Sequence, residues 1–109
     1  MINILFVCQN NQLRSKMAEN FFKQFNKNPS HSARSAGILA GNLINRDLVR
    51  WADRMIVVAD NVSPSMIEEK YGKKAEVWGV SSNDKDLYRE IENRVRNLMN
   101  ILNNTFTPS

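Results

Sequence analysis

A cysteine and an arginine near the start of the chain are separated by five residues, and a serine follows the arginine. The segment reads Cys8, Gln9, Asn10, Asn11, Gln12, Leu13, Arg14, Ser15. A loop of this length can curl so that successive backbone N–H groups point inward and bind a tetrahedral anion. A helix that starts there adds its positive end, and Arg14 can hold two anion oxygens with a bidentate fork. The segment therefore predicts a phosphate-binding loop.

The same surroundings give Cys8 a chemical role. A helix N-terminus and a nearby cation favour the thiolate form of a cysteine, and a thiolate beneath a bound phosphate is an in-line nucleophile. Ser15 could donate its hydroxyl to that thiolate. Cys8 is the chain's one cysteine, so an internal disulfide and a metal site built on several cysteines are both excluded. The alternative is a small buried hydrophobic residue.

The elements that must position this loop alternate along the chain. Apolar runs predict strands over Ile2–Val7, His31–Ala36, Met55–Ala59 and Ala75–Val80. Helices are expected from Ser15 to the Asn26–Pro29 stop, over Leu43–Ala52, from Pro64 to Gly72, and from Asp84 to about Asn103. Such alternation predicts a mostly parallel sheet, whose ligands bind beyond the carboxyl ends of the strands.

Several helix ends carry capping residues. Ser15 and Ser63 are expected to be N-caps, and Gly72 is expected to close the third helix. Met66 and Ile67 would then face the core. His31 is interpreted as a surface or structural residue. Trp51 and Trp78 are interpreted as packing residues rather than ligand-binding ones.

The chain resembles the low-molecular-weight protein tyrosine phosphatases. The likeness rests on Cys-x5-Arg-Ser between a strand and a helix, on Asn11 three residues after the cysteine, and on Ser35-Ala36-Gly37. Met17-Ala18-Glu19 and the Trp51–Ala59 segment are also similar to the family. Lys16 stands where the family usually has proline. The family's chains are generally longer, so the resemblance indicates a compact member.

This resemblance implies an α/β fold over residues 1–109. The expected architecture is a single-domain, three-layer sandwich, in which a four-stranded parallel sheet of order 2-1-3-4 carries helices on both faces. The implied activity is hydrolysis of a phosphate monoester of the phosphotyrosine type through a phosphocysteine. Asn11 would hold the strained loop by side-chain hydrogen bonds. No metal or other cofactor is implied, and the implied partners are a phosphorylated protein or small phosphate ester and inorganic phosphate.

The family protonates the leaving oxygen with an aspartate in an Asp-Pro dipeptide, which this sequence lacks. Asp84 is the predicted general acid, Asp86 is a second candidate, and a site without an acid is the third possibility. The family also has an aromatic residue after Ser-Ala-Gly, where Ile38-Leu39-Ala40-Gly41 offers only aliphatic contacts. Tyr88 could line the mouth of the cleft.

Composition excludes some classes. The net charge of +4 comes from scattered basic residues, which is not the pattern of a nucleic-acid-binding protein. No apolar run has the roughly 20 residues of a membrane helix, and no signal peptide is recognisable. We therefore expect a cytoplasmic protein with neither nucleic-acid nor membrane partners.

Two other functions remain open from the sequence. Arsenate reduction could use the same loop, but relatives of that kind relay oxidation through further cysteines, so an external thiol would be needed. A phosphate- or phosphoprotein-binding regulator without useful turnover is the other alternative.

Overall fold

A computed structural model describes residues 2–81 and 85–104, with side chains up to Leu102. Its four strands are β1 (Asn3–Cys8), β2 (Ser32–Gly37), β3 (Arg54–Ala59) and β4 (Glu76–Val80). All neighbouring pairs are parallel, and the order is β2-β1-β3-β4. The predicted fold class and strand order are confirmed. The carboxyl ends of all four strands consequently lie at one edge of the sheet.

Helices cover both faces of the sheet. They are α1 (Arg14–Phe25), α2 (Arg46–Trp51), α3 (Pro64–Tyr71) and α4 (Leu87–Asn104). Alternate residues of β1 point to opposite faces, as a strand requires. Ile4 and Phe6 pack with buried residues of α1 and α4, whereas Leu5 and Val7 pack with those of α2 and α3. The central strand is therefore buried on both sides, which explains its nearly continuous apolar sequence.

Most element ends agree with the prediction, with exceptions at the starts of α1, α2 and α4. Ser63 caps α3 by accepting a hydrogen bond from the Met66 amide at 3.3 Å, and Gly72 ends it in the left-handed conformation. The prediction that Met66 faces the core is wrong, because its side chain is 50% exposed, whereas Ile67 is buried. Helix α2 starts later than predicted, because Asn45 accepts from the Leu48 amide and caps it.

Ser15 is not the N-cap that the sequence predicted. Helix α1 begins at Arg14, with Leu13 in the cap position and no side-chain cap. Ser15 is thus the second helical residue, and its buried hydroxyl points back toward the end of β1. In the described part of the chain, no helix is both long enough and apolar enough to cross a membrane.

His31 is a buried structural residue just before β2, as expected. Its Nδ1 accepts a hydrogen bond from the Ile2 amide at 3.2 Å, and its Nε2 lies 3.4 Å from Nδ2 of Asn28. Burial lowers the pKa of His31 below its ordinary value. The neutral ring therefore joins the segment before β1 to the turn that starts β2.

This burial predicts a loss of stability in mild acid. Because the folded-state pKa is lower than the unfolded one, the unfolded chain takes up the proton first. The stabilisation that the neutral His31 ring gives the folded state is fully present above about pH 6.5, the usual histidine pKa. It is lost as the pH falls through the folded-state pKa. We expect the free energy of unfolding, measured in urea between pH 7.5 and 5.5, to decrease for the wild type. His31 is the chain's one histidine, so His31→Gln should flatten this dependence. Equal slopes in the two proteins would contradict the assignment.

Candidate active site

The Cys8 sulfur lies where β1 ends, beneath the loop that leads into α1. Cys8 is 3% exposed. The backbone N–H of Asn11 donates to its Sγ at 3.2 Å, and the Ser15 Oγ lies 2.9 Å from the same sulfur. The side-chain Nδ2 of Asn11 in turn donates to the Ser15 Oγ at 2.9 Å. A Ser15 hydroxyl that accepts from Asn11 retains its own proton for the sulfur. This arrangement suits a sulfur that accepts two hydrogen bonds.

Asn11 fixes the curvature of the loop. It is the only described non-glycine residue with a positive φ, at 52°, a conformation that asparagine tolerates better than most residues. Its side chain bonds on both sides, since Nδ2 donates to Ser15 and Oδ1 accepts from the Asn42 amide at 3.2 Å. The role that the resemblance implied for Asn11 matches these contacts.

Arg14 reaches the ends of two other strands. Its Nη1 donates to the Val80 carbonyl oxygen at 2.8 Å and to Asp60 Oδ1 at 3.1 Å, and its Nη2 donates to Asn61 Oδ1 at 3.2 Å. Of the five guanidinium N–H groups, these bonds leave Nε–H and one Nη2–H. A guanidinium that keeps Nε–H and an Nη2–H available can hold two oxygens of a phosphate with them.

Asp60 and Asn61 are site residues that the sequence analysis missed. They follow β3 directly, and Asn61 also donates from Nδ2 to Gln9 Oε1 at 2.8 Å. The available signal was their position: β3 pairs with β1, so residues just after β3 must lie beside the loop that follows β1.

A cavity of about 240 Å³ opens at this place. Its described lining is Cys8, Gln9, Asn10, Gln12, Leu13, Arg14 and Asn61. Of the predicted loop residues, only Asn11 and Ser15 are absent from that lining, and both are buried beneath it. The predicted residues are thus assembled around one cavity, with the sulfur in its lining.

The N-terminus of α1 faces this cavity without a cap. Asn45 and Ser63 cap α2 and α3 with their side chains, whereas α1 has no side-chain cap and no acidic residue in its first turn. Unpaired N–H groups at a helix N-terminus attract anions. Together with the Arg14 guanidinium, this end can bind a phosphate directly above the sulfur.

The residues after β2 support the loop through backbone contacts. Ile38 N–H donates to the Cys8 carbonyl oxygen at 3.1 Å, and Leu39 N–H donates to that of Gln9 at 2.9 Å. Gly41 has φ of 77°, and a Cβ there would lie 2.7 Å from the Asn10 carbonyl oxygen and 2.8 Å from the Asn11 Cβ. Only glycine therefore allows this close approach.

Glu19 and Ser35 connect two of the motifs on which the resemblance rested. The Ser35 hydroxyl donates to Glu19 Oε1 at 2.5 Å, and Lys23 pairs with Glu19 Oε2 at 2.6 Å. Burial alone would raise the pKa of Glu19, but the hydrogen bonds from Lys23 and Ser35 outweigh it and lower the pKa. This ionised carboxylate fastens α1 to the edge strand β2.

Of the two candidate general acids, only Asp86 lies in the described part of the chain. Asp84 lies outside the described residues, so its assignment stays a prediction. Asp86 is exposed, and its carbonyl oxygen accepts from the Glu90 amide where α4 begins. The described lining of the cavity contains no carboxylate. Within the same part of the chain, no three potential metal ligands come together.

The close packing at Gly41 predicts a large loss of stability in Gly41→Ala. Gly72 provides a matched control, because its φ is 68° but a Cβ there would meet no atom within 4 Å. We expect Gly72→Ala to cost about 1 kcal/mol from backbone strain and Gly41→Ala to cost roughly 2–4 kcal/mol, since overpacking adds to it. Urea unfolding of the two variants measures the difference. Equal losses would show that the loop does not depend on this contact.

Comparisons with known proteins agree with the geometry. Residues 3–77 match the model of the low molecular weight phosphotyrosine protein phosphatases. A low molecular weight phosphotyrosine phosphatase from Vibrio cholerae superimposes with a TM-score of 0.80 and 14% identity, over 98% of this chain and 100% of that chain. The YwlE arginine phosphatase from Geobacillus stearothermophilus superimposes with a TM-score of 0.70 and 17% identity, over 96% of this chain and 92% of that chain.

A thioredoxin-dependent arsenate reductase from Corynebacterium glutamicum also superimposes, with a TM-score of 0.76 and 21% identity, over 96% of this chain and 63% of that chain. At these identities the structural likeness establishes the fold alone. A search of curated proteins gives no significant match. The family match, however, covers well over half of the chain and includes the whole loop from Cys8 to Ser15, so the chain belongs to the low molecular weight phosphotyrosine protein phosphatase family.

Proposed function

We propose that this protein is a cysteine-dependent phosphatase that hydrolyses phosphate monoesters of the phosphotyrosine type. The observation that carries the proposal is that Cys8 and Arg14 line one cavity at an uncapped helix N-terminus. Family membership independently supports cysteine-based phosphatase chemistry.

The proposed reaction has two steps. The Cys8 thiolate attacks phosphorus, the S–P bond forms as the P–O bond to the leaving group breaks, and Asp84 donates a proton to the departing oxygen. Water then attacks the phosphocysteine, Asp84 takes up the proton, and phosphate leaves with Cys8 again a thiolate. In both steps the loop N–H groups and Arg14 hold the phosphoryl oxygens. Ser15 stabilises the sulfur as the leaving group of the second step.

The other two functions use the same loop. Arsenate reduction by this chain would need an external thiol, because Cys8 is its one cysteine. A binding module without turnover is favoured by the lack of a carboxylate in the described lining of the cavity. Asp60 is a poor substitute for the acid, because its carboxylate accepts a hydrogen bond from Arg14 and the two form an ion pair.

Hydrolysis of para-nitrophenyl phosphate tests the proposal. Cys8→Ser should lose essentially all turnover, and acid quenching of the wild type should trap a phosphoryl group on Cys8. Loss of a general acid costs about 10²–10⁴-fold, so Asp84→Asn should fall in that range and Asp86→Asn should change little. Wild-type turnover no higher than that of Cys8→Ser would overturn the phosphatase and favour the binding module. Reduction of arsenate with added thiols, without phosphatase turnover, would establish the reductase.

The leaving group gives a finer test of Asp84. Phenolate is a poorer leaving group than para-nitrophenolate and gains more from protonation. We expect Asp84→Asn to lose more activity on phenyl phosphate than on para-nitrophenyl phosphate. An equal loss on both substrates would mean that Asp84 acts in some other way.

The contacts of Arg14 predict a positioning role for Asp60. Asp60→Asn should lower kcat/KM for para-nitrophenyl phosphate by about three- to tenfold, because the guanidinium loses a charged partner that orients it. Asp53→Asn is the matched control, since Asp53 accepts from the Asn3 amide at the opposite edge of the sheet. Arg14→Lys should lower kcat/KM further. In the Arg14→Lys protein, the additional change Asp60→Asn should cause little further loss of kcat/KM. Independent, additive losses would show that Asp60 does not act through Arg14.

A further inference from the structure

A second depression adjoins the candidate active site and runs along the exposed side of α1. Its volume is about 310 Å³, and Gln12 and Leu13 line both this groove and the cavity at Cys8. Tyr88, at the start of α4, closes its far side and is 61% exposed. A ligand seated over the sulfur can therefore continue into the groove without leaving the surface.

The groove has two rows of side chains with the same spacing. The polar row is Gln12, Lys16, Asn20 and Gln24, and the apolar row is Leu13, Met17 and Phe21. Members of each row are four positions apart. Those from Lys16 and Met17 onward lie one above another on α1, and Gln12 and Leu13 come just before its first turn. Tyr88 extends the apolar row, since its ring stands edge-on to Phe21 with centroids 4.8 Å apart.

The polar row is available to a ligand. Gln12, Lys16, Asn20 and Gln24 are all exposed. In the described part of the chain, the three carboxamides form no hydrogen bond to protein. Lys16 has no carboxylate within salt-bridge distance, although its charge contributes to lowering the pKa of Glu19. Lys23, one position from Gln24, is by contrast paired with Glu19.

The spacing of this row matches an extended peptide. Four residues of helix rise about 6 Å, and two residues of an extended chain span about 6.6 Å. Successive members of the row therefore face alternate residues of a strand-like segment. A carboxamide can donate to a peptide carbonyl and accept from a peptide N–H, while the neighbouring apolar row can cover aliphatic or aromatic side chains.

We propose that this groove binds an extended segment of a phosphorylated protein substrate, with an acidic side chain about two residues from the phosphorylated one and opposite Lys16. The proposal rests on the phosphatase function proposed above. A nucleic acid would require more cations than the one ammonium of this row. A small phosphate ester would leave the groove empty, so the proposal selects proteins over small esters as the preferred substrate class.

Charge-swapped peptides test the role of Lys16. Each set contains two phosphotyrosyl peptides that differ only in having Glu or Lys at one position. In one set this position is two residues before the phosphotyrosine, and in the other set it is two residues after it. At low ionic strength the wild type should prefer the Glu peptide of one set by about three- to fivefold in kcat/KM, the range of an exposed ion pair. Lys16→Glu should reverse the preference. Lys74→Glu, an equal charge change at an exposed residue of the opposite sheet edge, should retain it.

A second measurement tests the carboxamides. For each enzyme the ratio of kcat/KM for the full-length phosphotyrosyl peptide to kcat/KM for para-nitrophenyl phosphate is measured. Asn20→Ala and Gln24→Ala should lower this ratio. The same ratio for peptides truncated beside the phosphotyrosine should not change. Ratios within one enzyme cancel any effect on the chemical step. If the preference of Lys16→Glu is not reversed, or these ratios stay unchanged, the groove does not bind substrate.

Failure of the groove and failure of the phosphatase are separable. Fluorescence anisotropy should show that Cys8→Ser binds the Glu phosphotyrosyl peptide more tightly than the Lys peptide. The order of affinities should be reversed in Cys8→Ser/Lys16→Glu. If the wild type does not hydrolyse para-nitrophenyl phosphate, the proposed phosphatase activity is overturned. The same order of peptide affinities would still support peptide binding in the groove. Normal turnover with equal affinities for the two peptides would overturn the groove alone.

Discussion

The hydrogen bonds from Asn11 through Ser15 to the Cys8 sulfur are the constraint on which the rest of the site depends. A left-handed residue in the middle of a short loop turns the chain back on itself, and the conformation is kept because the Asn11 side chain is bonded to Ser15 on one side and to Asn42 on the other. The same turn directs the Asn11 N–H at the sulfur. One residue thereby shapes the anion site and supplies a donor to the nucleophile.

The uncapped start of α1 shows how the sequence balances stability against binding. A Ser, Asp or Asn cap typically contributes about 1 kcal/mol, and α2 and α3 both have one. In α1 the cap position is held by Leu13, and the serine that could have capped it is placed two residues later, against the sulfur. The helix gives up a stabilising contact, and its positive end stays open to an anion.

The sequence was sufficient for the parts of the site that are local in the chain. Residue type and spacing predicted roles for Cys8 and Arg14, the family resemblance added Asn11, and the alternation of elements predicted the sheet. Asp60, Asn61 and Asn42 were missed because their roles arise from strand neighbours far apart in the chain, and a polar residue after a strand looks alike whether or not it meets a loop. The sequence offered Ser15 two roles, as the N-cap of α1 and as a donor to the Cys8 sulfur, because a serine hydroxyl can bond either to nearby backbone or to another side chain. The curl of the loop places the hydroxyl against the sulfur.

The loop after β2 holds the phosphate-binding loop with its main chain. The N–H groups of Ile38 and Leu39 donate to the loop, and Gly41 approaches it closely because it has no side chain. The Leu39 side chain itself is 64% exposed. Position 39 can therefore change identity with little effect on how Cys8 is held, whereas the Ile38 side chain packs against the core cluster that includes Cys8. In a protein-engineering sense the support and the surface are uncoupled at Leu39: its side chain can be exchanged, while the length of the loop and its glycines must be kept.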